Sequence, residues 1–243
     1  IQNQTFIPLF CTSATSNIGV ARVCDFIAKY GSSPDDRKRV KAHDESGKAL
    51  EVSLDGSDTV MQVFKTMSES HVGELSLFRV YSGTVQTGKD YYNSDRKSNE
   101  RFGQMFILNG KNRTQVDKLS AGDIAGVVKL KNTHTGNTLC FGKHVIMPPI
   151  NFPNPNIHAA IKPNAKGDEE KLAVGLATLH EEDPTFVYRV DSEVSQTIIS
   201  GQGELHLTVT TERLKRRFGI DIKLEETKVP YRETILGNGE AKY

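Results

Sequence analysis

Cysteine is scarce in this sequence: Cys11, Cys24 and Cys140 are the only three among 243 residues, with neither C-x-x-C spacing nor a paired framework. That excludes a disulfide scaffold, and each thiol is expected to be reduced and buried in a core. No apolar run approaches the ~20 residues that cross a bilayer, and no charged-then-apolar signal opens the chain. The expectation is a cytoplasmic protein with no membrane partner. Charge of one sign is missing as well, because 31 Lys and Arg face 30 Asp and Glu. Bulk attraction to nucleic acid is thereby excluded, DNA is not an expected partner, and any RNA contact must be local. Residues 38–150 hold 16 basic against 12 acidic side chains, whereas residues 151–243 hold 12 against 15. The positive surplus belongs to the first stretch.

Catalytic signatures are also wanting. Seven histidines include no H-E-x-x-H and no helical i, i+4 pair, so no metal site is expected. No G-x-S-x-G turn exposes a nucleophile, and no catalytic residue is assigned. Gly83 to Lys89 fits G-x-x-x-x-G-K, but Asp90 stands where a phosphate loop needs Ser or Thr for magnesium, and β-like runs flank it. A hairpin turn is the reading. Gly201-x-Gly203 lacks the third glycine of a dinucleotide loop, since His206 holds that place. The aromatic signature of single-strand RNA readers is absent too.

What is present falls into segments. Residues 5–14 form an apolar run, and Ile18, Val20, Val23, Phe26, Ile27 and Tyr30 recur at helical spacing before Gly31-Ser32-Ser33-Pro34. This predicts one strand-helix step, the tail of an α/β domain, over residues 1–37. Its uncovered apolar surface is expected to favour oligomers. Asp35 to Arg39 reads as a charged linker. From 38 to 150, short β-rich runs alternate with turn signals such as Asp55-Gly56, Ser82-Gly83, Asn109-Gly110 and Gly136-Asn137, which predicts an antiparallel β-barrel. Four prolines within residues 147–155 suit an extended linker.

Over 151–228 the order is strand (157–161), helix (168–182), strand (186–190), strand (197–199), helix (204–218), strand (220–224). That order, βαββαβ, is ferredoxin-like. Residues 229–243 begin something too short to be a domain. The stretch Gln196 to Phe218 is the most informative. Its glycines, Gly201 and Gly203, are expected to allow backbone shapes that a side chain forbids. Glu204 opens the helix at its positive end, and Arg213, Lys215, Arg216 and Arg217 close it at its negative end. In the barrel, Arg96, Lys97, Arg101, Lys111 and Arg113 make a second basic group flanking a predicted hairpin. These two groups are the candidates for phosphate contact.

The motifs together resemble a known family. IKPNAKGDEEKLAVGLATLHEEDPTF and QTIISGQGELHL resemble the third domain of elongation factor G, a translational GTPase. FRVYSGT, AGDIAG and TGNTL are similar to its second-domain barrel, Cys11-Thr12-Ser13-Ala14 to the last guanine motif of its G domain, and VPYRETI to the beginning of its fourth domain. The resemblance implies an internal fragment of a divergent member, since Ser16, Ile18, Lys129 and residues 107–115 depart from the usual pattern. It implies that the amides of Ser13 and Ala14 face a guanine base in a parent that binds GTP and Mg. The fragment itself holds no cofactor and hydrolyses nothing. The implied partners are the ribosome, through small-subunit rRNA and ribosomal protein, and indirectly tRNA and mRNA during translocation. Gly201, Gly203 and Glu204 then lie on a coupling loop, and Arg96, Lys97, Arg101, Lys111, Arg113, Arg213, Arg216 and Arg217 are the ribosomal-contact candidates. A ribosome-protection factor of the same superfamily and a nucleotide-independent RNA- or protein-binding module remain the alternatives.

Overall fold

The computed structural model describes residues 5–69, 73–165, 167–237 and 239–241, so the outermost residues of the first and last expected segments lie outside the described residues. The chain divides into two units, residues 1–64 with 76–148, and residues 65–75 with 149–243.

In the first unit, helix α1 (Val20–Tyr30) follows a turn that Ser13 and Ile18 close with reciprocal 3.0 Å backbone hydrogen bonds. The strand expected ahead of α1 is not there. Strand amides and carbonyls need a neighbouring strand, and none runs beside residues 6–12 among the described residues, where Ile7 and Leu9 stand 86% and 92% exposed. The burial expected for Cys11 and Cys24 fails for the same reason: both are exposed on this uncovered segment, while Cys140 is buried. The expected charged linker is a built turn instead. Pro34–Arg37 is a short 3-10 helix in which the Ser33 hydroxyl accepts the Asp35 N–H and the Asp36 carboxylate accepts the Ser33 N–H at 2.7 Å. This reciprocal capping fixes where the chain leaves for the sheet.

Strands β1 (Arg39–His43) and β2 (Ala49–Ser53) pair as a hairpin around Asp44, whose Oδ1 accepts the Ser46 and Lys48 amides. Ten strands then follow: β3 (Thr59–Glu69), β4 (Gly73–Ser82), β5 (Thr84–Gln86), β6 (Asp90–Asn93), β7 (Ser98–Arg101), β8 (Met105–Asn109), β9 (Asn112–Val116), β10 (Lys118–Ser120), β11 (Ile124–Val128) and β12 (Thr138–Phe141). Eight form one sheet in the order β7-β6-β12-β3-β4-β11-β8-β9, and β5 pairs antiparallel with β10. Alternation along β4 turns Phe78 and Val80 inward. These join Met61, Tyr91, Val127 and Leu139 in one cluster, with the Phe102 ring edge-on to Tyr91 at 4.7 Å and to Phe78 at 5.4 Å. A sheet that turns side chains from most of its strands into one interior is curled into a barrel, and each such side chain contributes ~1.5–3 kcal/mol on burial. Gly83 to Lys89 joins β4 to β6 through β5, with no helix after it.

The second unit contains β13 (Ile157–Pro163), α2 (Glu169–Glu182), β14 (Val187–Asp191), β15 (Gln196–Gly201), α3 (Glu204–Phe218) and β16 (Ile222–Glu225). Its sheet order is β14-β15-β13-β16 with antiparallel pairings, which is the ferredoxin-like sandwich. Leu172, Leu176 and Leu179 of α2 and Leu207 and Leu214 of α3 pack on Ile161 and Ile199 of the sheet. Charge follows the helix dipoles: Glu169 and Glu170 open α2, Glu204 opens α3, and Lys215, Arg216 and Arg217 occupy the last turn of α3. Gly219, at φ 68, ends α3 by donating its N–H to the Lys215 carbonyl. Residues 147–155 carry neither strand nor helix, in keeping with their prolines.

Candidate functional site

The loop between β15 and α3 is built by its own side chains. The Gln202 N–H donates to Nδ1 of His206 at 3.1 Å, so that nitrogen is the acceptor and Nε2 carries the proton. Nε2 donates to Oδ2 of Asp183 at 3.1 Å, and Oδ1 of Asp183 accepts the Thr185 amide (3.0 Å) and hydroxyl (2.6 Å). Partial burial tends to raise the Asp183 pKa, but the Thr185 bonds and His206 outweigh it and hold the carboxyl below its usual value. From the other side, the Gln202 amide nitrogen donates to the carbonyls of Pro153 and Asn154 at 3.1 and 3.0 Å. The loop is thus tied to the α2 end and to the extended segment before β13. A His-carboxylate pair is half of a nucleophile-activating triad, yet Nδ1 here faces a backbone amide, so the pair positions the loop.

The two glycines of that loop differ. A Cβ on Gly201 would lie 2.9 Å from Leu207 Cδ2 and 3.0 Å from His206 Nδ1, so lack of space, and not an unusual backbone, demands glycine. Gly203 has φ −178 and nothing within 4 Å of a Cβ, and any residue adopts that backbone. The expectation that both glycines supply forbidden conformations is corrected on both counts. His206 escaped sequence reading because its partners, Asp183 and Gln202, are recognisable only once the turn brings them together.

At the far end of α3, Arg213 and Arg216 are exposed, and Lys215 pairs with Asp221 at 3.2 Å. Arg217 is committed internally: its guanidinium forks onto Glu182 at 2.6 and 2.9 Å and donates to the Ser68 carbonyl, also within the second unit. The hydrogen bonds and charge of Glu182 raise its pKa.

The barrel candidates fall into two sets. Arg96 and Lys97 occupy the β6–β7 turn, with Lys97 left-handed at φ 52, and Arg101 ends β7, paired with Asp90 at 3.2 Å. Lys111 and Arg113 belong to the β8–β9 hairpin, at the opposite end of the strand order. Beneath Arg96 and Lys97 lies a buried polar network that the sequence did not announce. Glu100 accepts the Lys131 and Asn132 amides at 2.9 and 2.6 Å and the Thr133 hydroxyl at 3.0 Å. Asn93 accepts the Asp95 and Arg96 amides and faces Asn137 at 3.2 Å, while Asp95 accepts the Thr138 amide at 2.6 Å. This network fixes the basic turn against residues 131–138.

Of the amides assigned to a guanine base, that of Ser13 is donated to the Ile18 carbonyl, and the Ser13 hydroxyl accepts the Ser16 N–H.

Two descriptions of protein families match the chain: Elongation factor G domain 2 over residues 58–142, and Elongation Factor G, domain III, over residues 152–226. Elongation factor G of Salinibacter ruber is 40% identical over 237 residues, covering 96% of this chain and 34% of the relative. That of Pseudothermotoga lettingae is 39% identical, covering 99% and 35%. A crystal structure from Thermus thermophilus superposes with a TM-score of 0.75 at 28% identity, over 91% of this chain and 31% of that one. The chain spans about a third of the length of these relatives. Successive matches to two domains of one protein, in the same order and on the barrel and sandwich described above, place this chain in the elongation factor G family.

Proposed function

We propose that this chain is the ribosome-contacting, coupling part of a translation elongation factor that promotes GTP-linked movement of tRNA and mRNA in the cytoplasm. Its segments are residues 1–37 from the end of a G domain, 38–150 as the second-domain barrel, 151–228 as the third domain, and 229–243 as the start of a fourth. The observation that carries this reading is the braced 200–206 loop, Gly201 and Glu204 included, on a chain whose two halves match consecutive elongation factor G domains. A short loop tied to a helix end on one side and to an extended segment on the other transmits a shift of either to the rest of the sandwich. Guanine nucleotide and Mg would be held by residues outside this sequence, because a complete phosphate loop is missing from it and the Ser13 amide is already bonded to Ile18. Chemistry belongs to the longer protein, and positioning to this chain.

Contact with rRNA falls to the exposed cations Arg96, Lys97, Lys111, Arg213 and Arg216, with Arg101, Arg113 and Arg217 at their margins. Sedimentation with 70S ribosomes tests this. The folded chain is expected to pellet at low salt and to lose binding steeply as salt rises, and joint reversal of Arg96, Lys97, Arg213 and Arg216 to Glu should weaken it by about tenfold or more. Absence of co-sedimentation at low salt would sink the proposal. In the same mixture the chain alone should show no ribosome-stimulated GTP turnover.

A further inference from the structure

The first unit contains a cleft of about 620 Å³ whose lining includes Ser32, Ser33, Asp36, Arg37, Arg79 and Ile124. One wall is the capped 3-10 turn. The opposite wall is the β10–β11 turn, where Gly122, at φ 97, lets the chain close on Pro34: a Cβ there would stand 2.9 Å from the Pro34 Cβ. The turn's position against the sheet is therefore set by packing. Arg79 reaches the cleft from β4. Its guanidinium carbon lies 5.3 Å from the Tyr81 ring centre, which orients the planar group by cation–π attraction. Its Nε is buried and has no hydrogen-bond partner.

A buried N–H on a charged group without an acceptor is destabilising, and native proteins seldom leave one so. Two guanidiniums against one carboxylate, Asp36, give the lining a positive balance, and one oxygen of Asp36 is already taken by the Ser33 amide. A smaller recess of about 100 Å³ shares Pro34, Arg37 and Arg79 and is completed by Val40, Leu54 and Val80 with Tyr81. Charge and apolar surface thus adjoin. Arg forks match the geometry of phosphate oxygens, and an apolar shelf beside them suits a flat ring.

We infer that the Arg37–Arg79 cleft binds a phosphate group between the guanidinium groups of Arg37 and Arg79. Inorganic phosphate and the phosphate of a nucleoside monophosphate share this chemistry. The apolar recess would favour the nucleoside form.

Calorimetry and thermal unfolding of the full chain with inorganic phosphate, AMP and acetate test the inference. Saturable binding of phosphate or AMP, with a rise in Tm, is expected in the unmodified protein. Arg37→Ala, an exposed change that leaves the fold intact, should weaken binding at least fivefold, and Arg79→Ala at least tenfold. Arg79→Lys should recover little, because one ammonium does not replace the fork. Tighter binding of AMP than of phosphate assigns the apolar recess to the nucleoside; equal binding assigns the site to phosphate alone. No saturable binding by either, binding indifferent to both Arg37→Ala and Arg79→Ala, or equal binding of acetate would overturn the inference.

Discussion

Glu100 in the barrel and Asp183 in the α/β sandwich do the same job in different surroundings. Each carboxylate gathers the hydrogen-bond donors of a loop, residues 131–133 in one case and the His206 ring with Thr185 in the other. Glu100 is 2% exposed, whereas the Asp183 side chain is 36% exposed. In the barrel, the carboxylate and the Thr133 hydroxyl are shielded from the water that would stand in for a lost partner, so parting them is costly. In the sandwich, water can replace either partner, so the 200–206 loop can open locally without the core following. The first arrangement suits a platform under a fixed basic turn, and the second suits a part that changes position.

Removing the buried member should break the comparison most visibly. Glu100→Ala strands two backbone amides and the Thr133 hydroxyl and is expected to destabilise the barrel by about 3 kcal/mol or more. Urea unfolding, followed separately for the two units, should show the barrel's transition moving and the sandwich's staying. A shift below ~1 kcal/mol would mean that water does reach the 131–133 loop. Next in size is Gly201→Ala, which pushes a methyl against Leu207 and His206 and should cost ~1–2 kcal/mol in the sandwich transition. Gly203→Ala, two residues away, is its control: nothing lies within reach of the added carbon, and the change should stay within ~0.5 kcal/mol. Equal effects at the two positions would show that backbone freedom, and not the space beside Leu207, selects glycine at 201.

The same contrast explains what could be read from sequence. Helix α3 emerged at 204–218 because its period, its acidic start and its basic end all agree, and α2 emerged because Asp168 and Pro184 bracket a run of leucines. The βαββαβ order followed from these two helices and the β runs between them. The apolar run at 5–14 misled, since apolar character measures what a segment wants to bury and not whether a neighbouring strand exists to pair with it. Glu100 and Asn93 were illegible for a related reason. Within YYNSDRKSNER they look like ordinary polar turn residues, and their burial depends on residues 131–137, 31 positions away for Glu100 and Lys131 and 44 for Asn93 and Asn137. Arg217 shows the limit within one helix turn: it shares the composition of Arg213 and Arg216, and only the approach of Glu182 on α2 separates it from them.

The smallest effect expected, and the one that sharpens the comparison furthest, is the pH dependence of the exposed clamp. In the folded chain the Asp183 carboxyl titrates below its ordinary range, because the Thr185 and His206 bonds overcome the opposing effect of burial. A lowered folded pKa means that ionised Asp183 favours the folded state. Its contribution is complete above the unfolded value of about 3.9 and is lost as pH falls through the lower folded value. Asp183→Asn removes the titrating group while keeping the shape. Thermal unfolding of both proteins should therefore differ at neutral pH and converge as pH drops below about 4. Solvent screening at a side chain this exposed keeps the difference modest, well under that of Glu100→Ala. Curves that stay parallel into acid would show that the clamp gains nothing from the charge, leaving the loop's position to the space at Gly201 and to the two bonds from Gln202 alone.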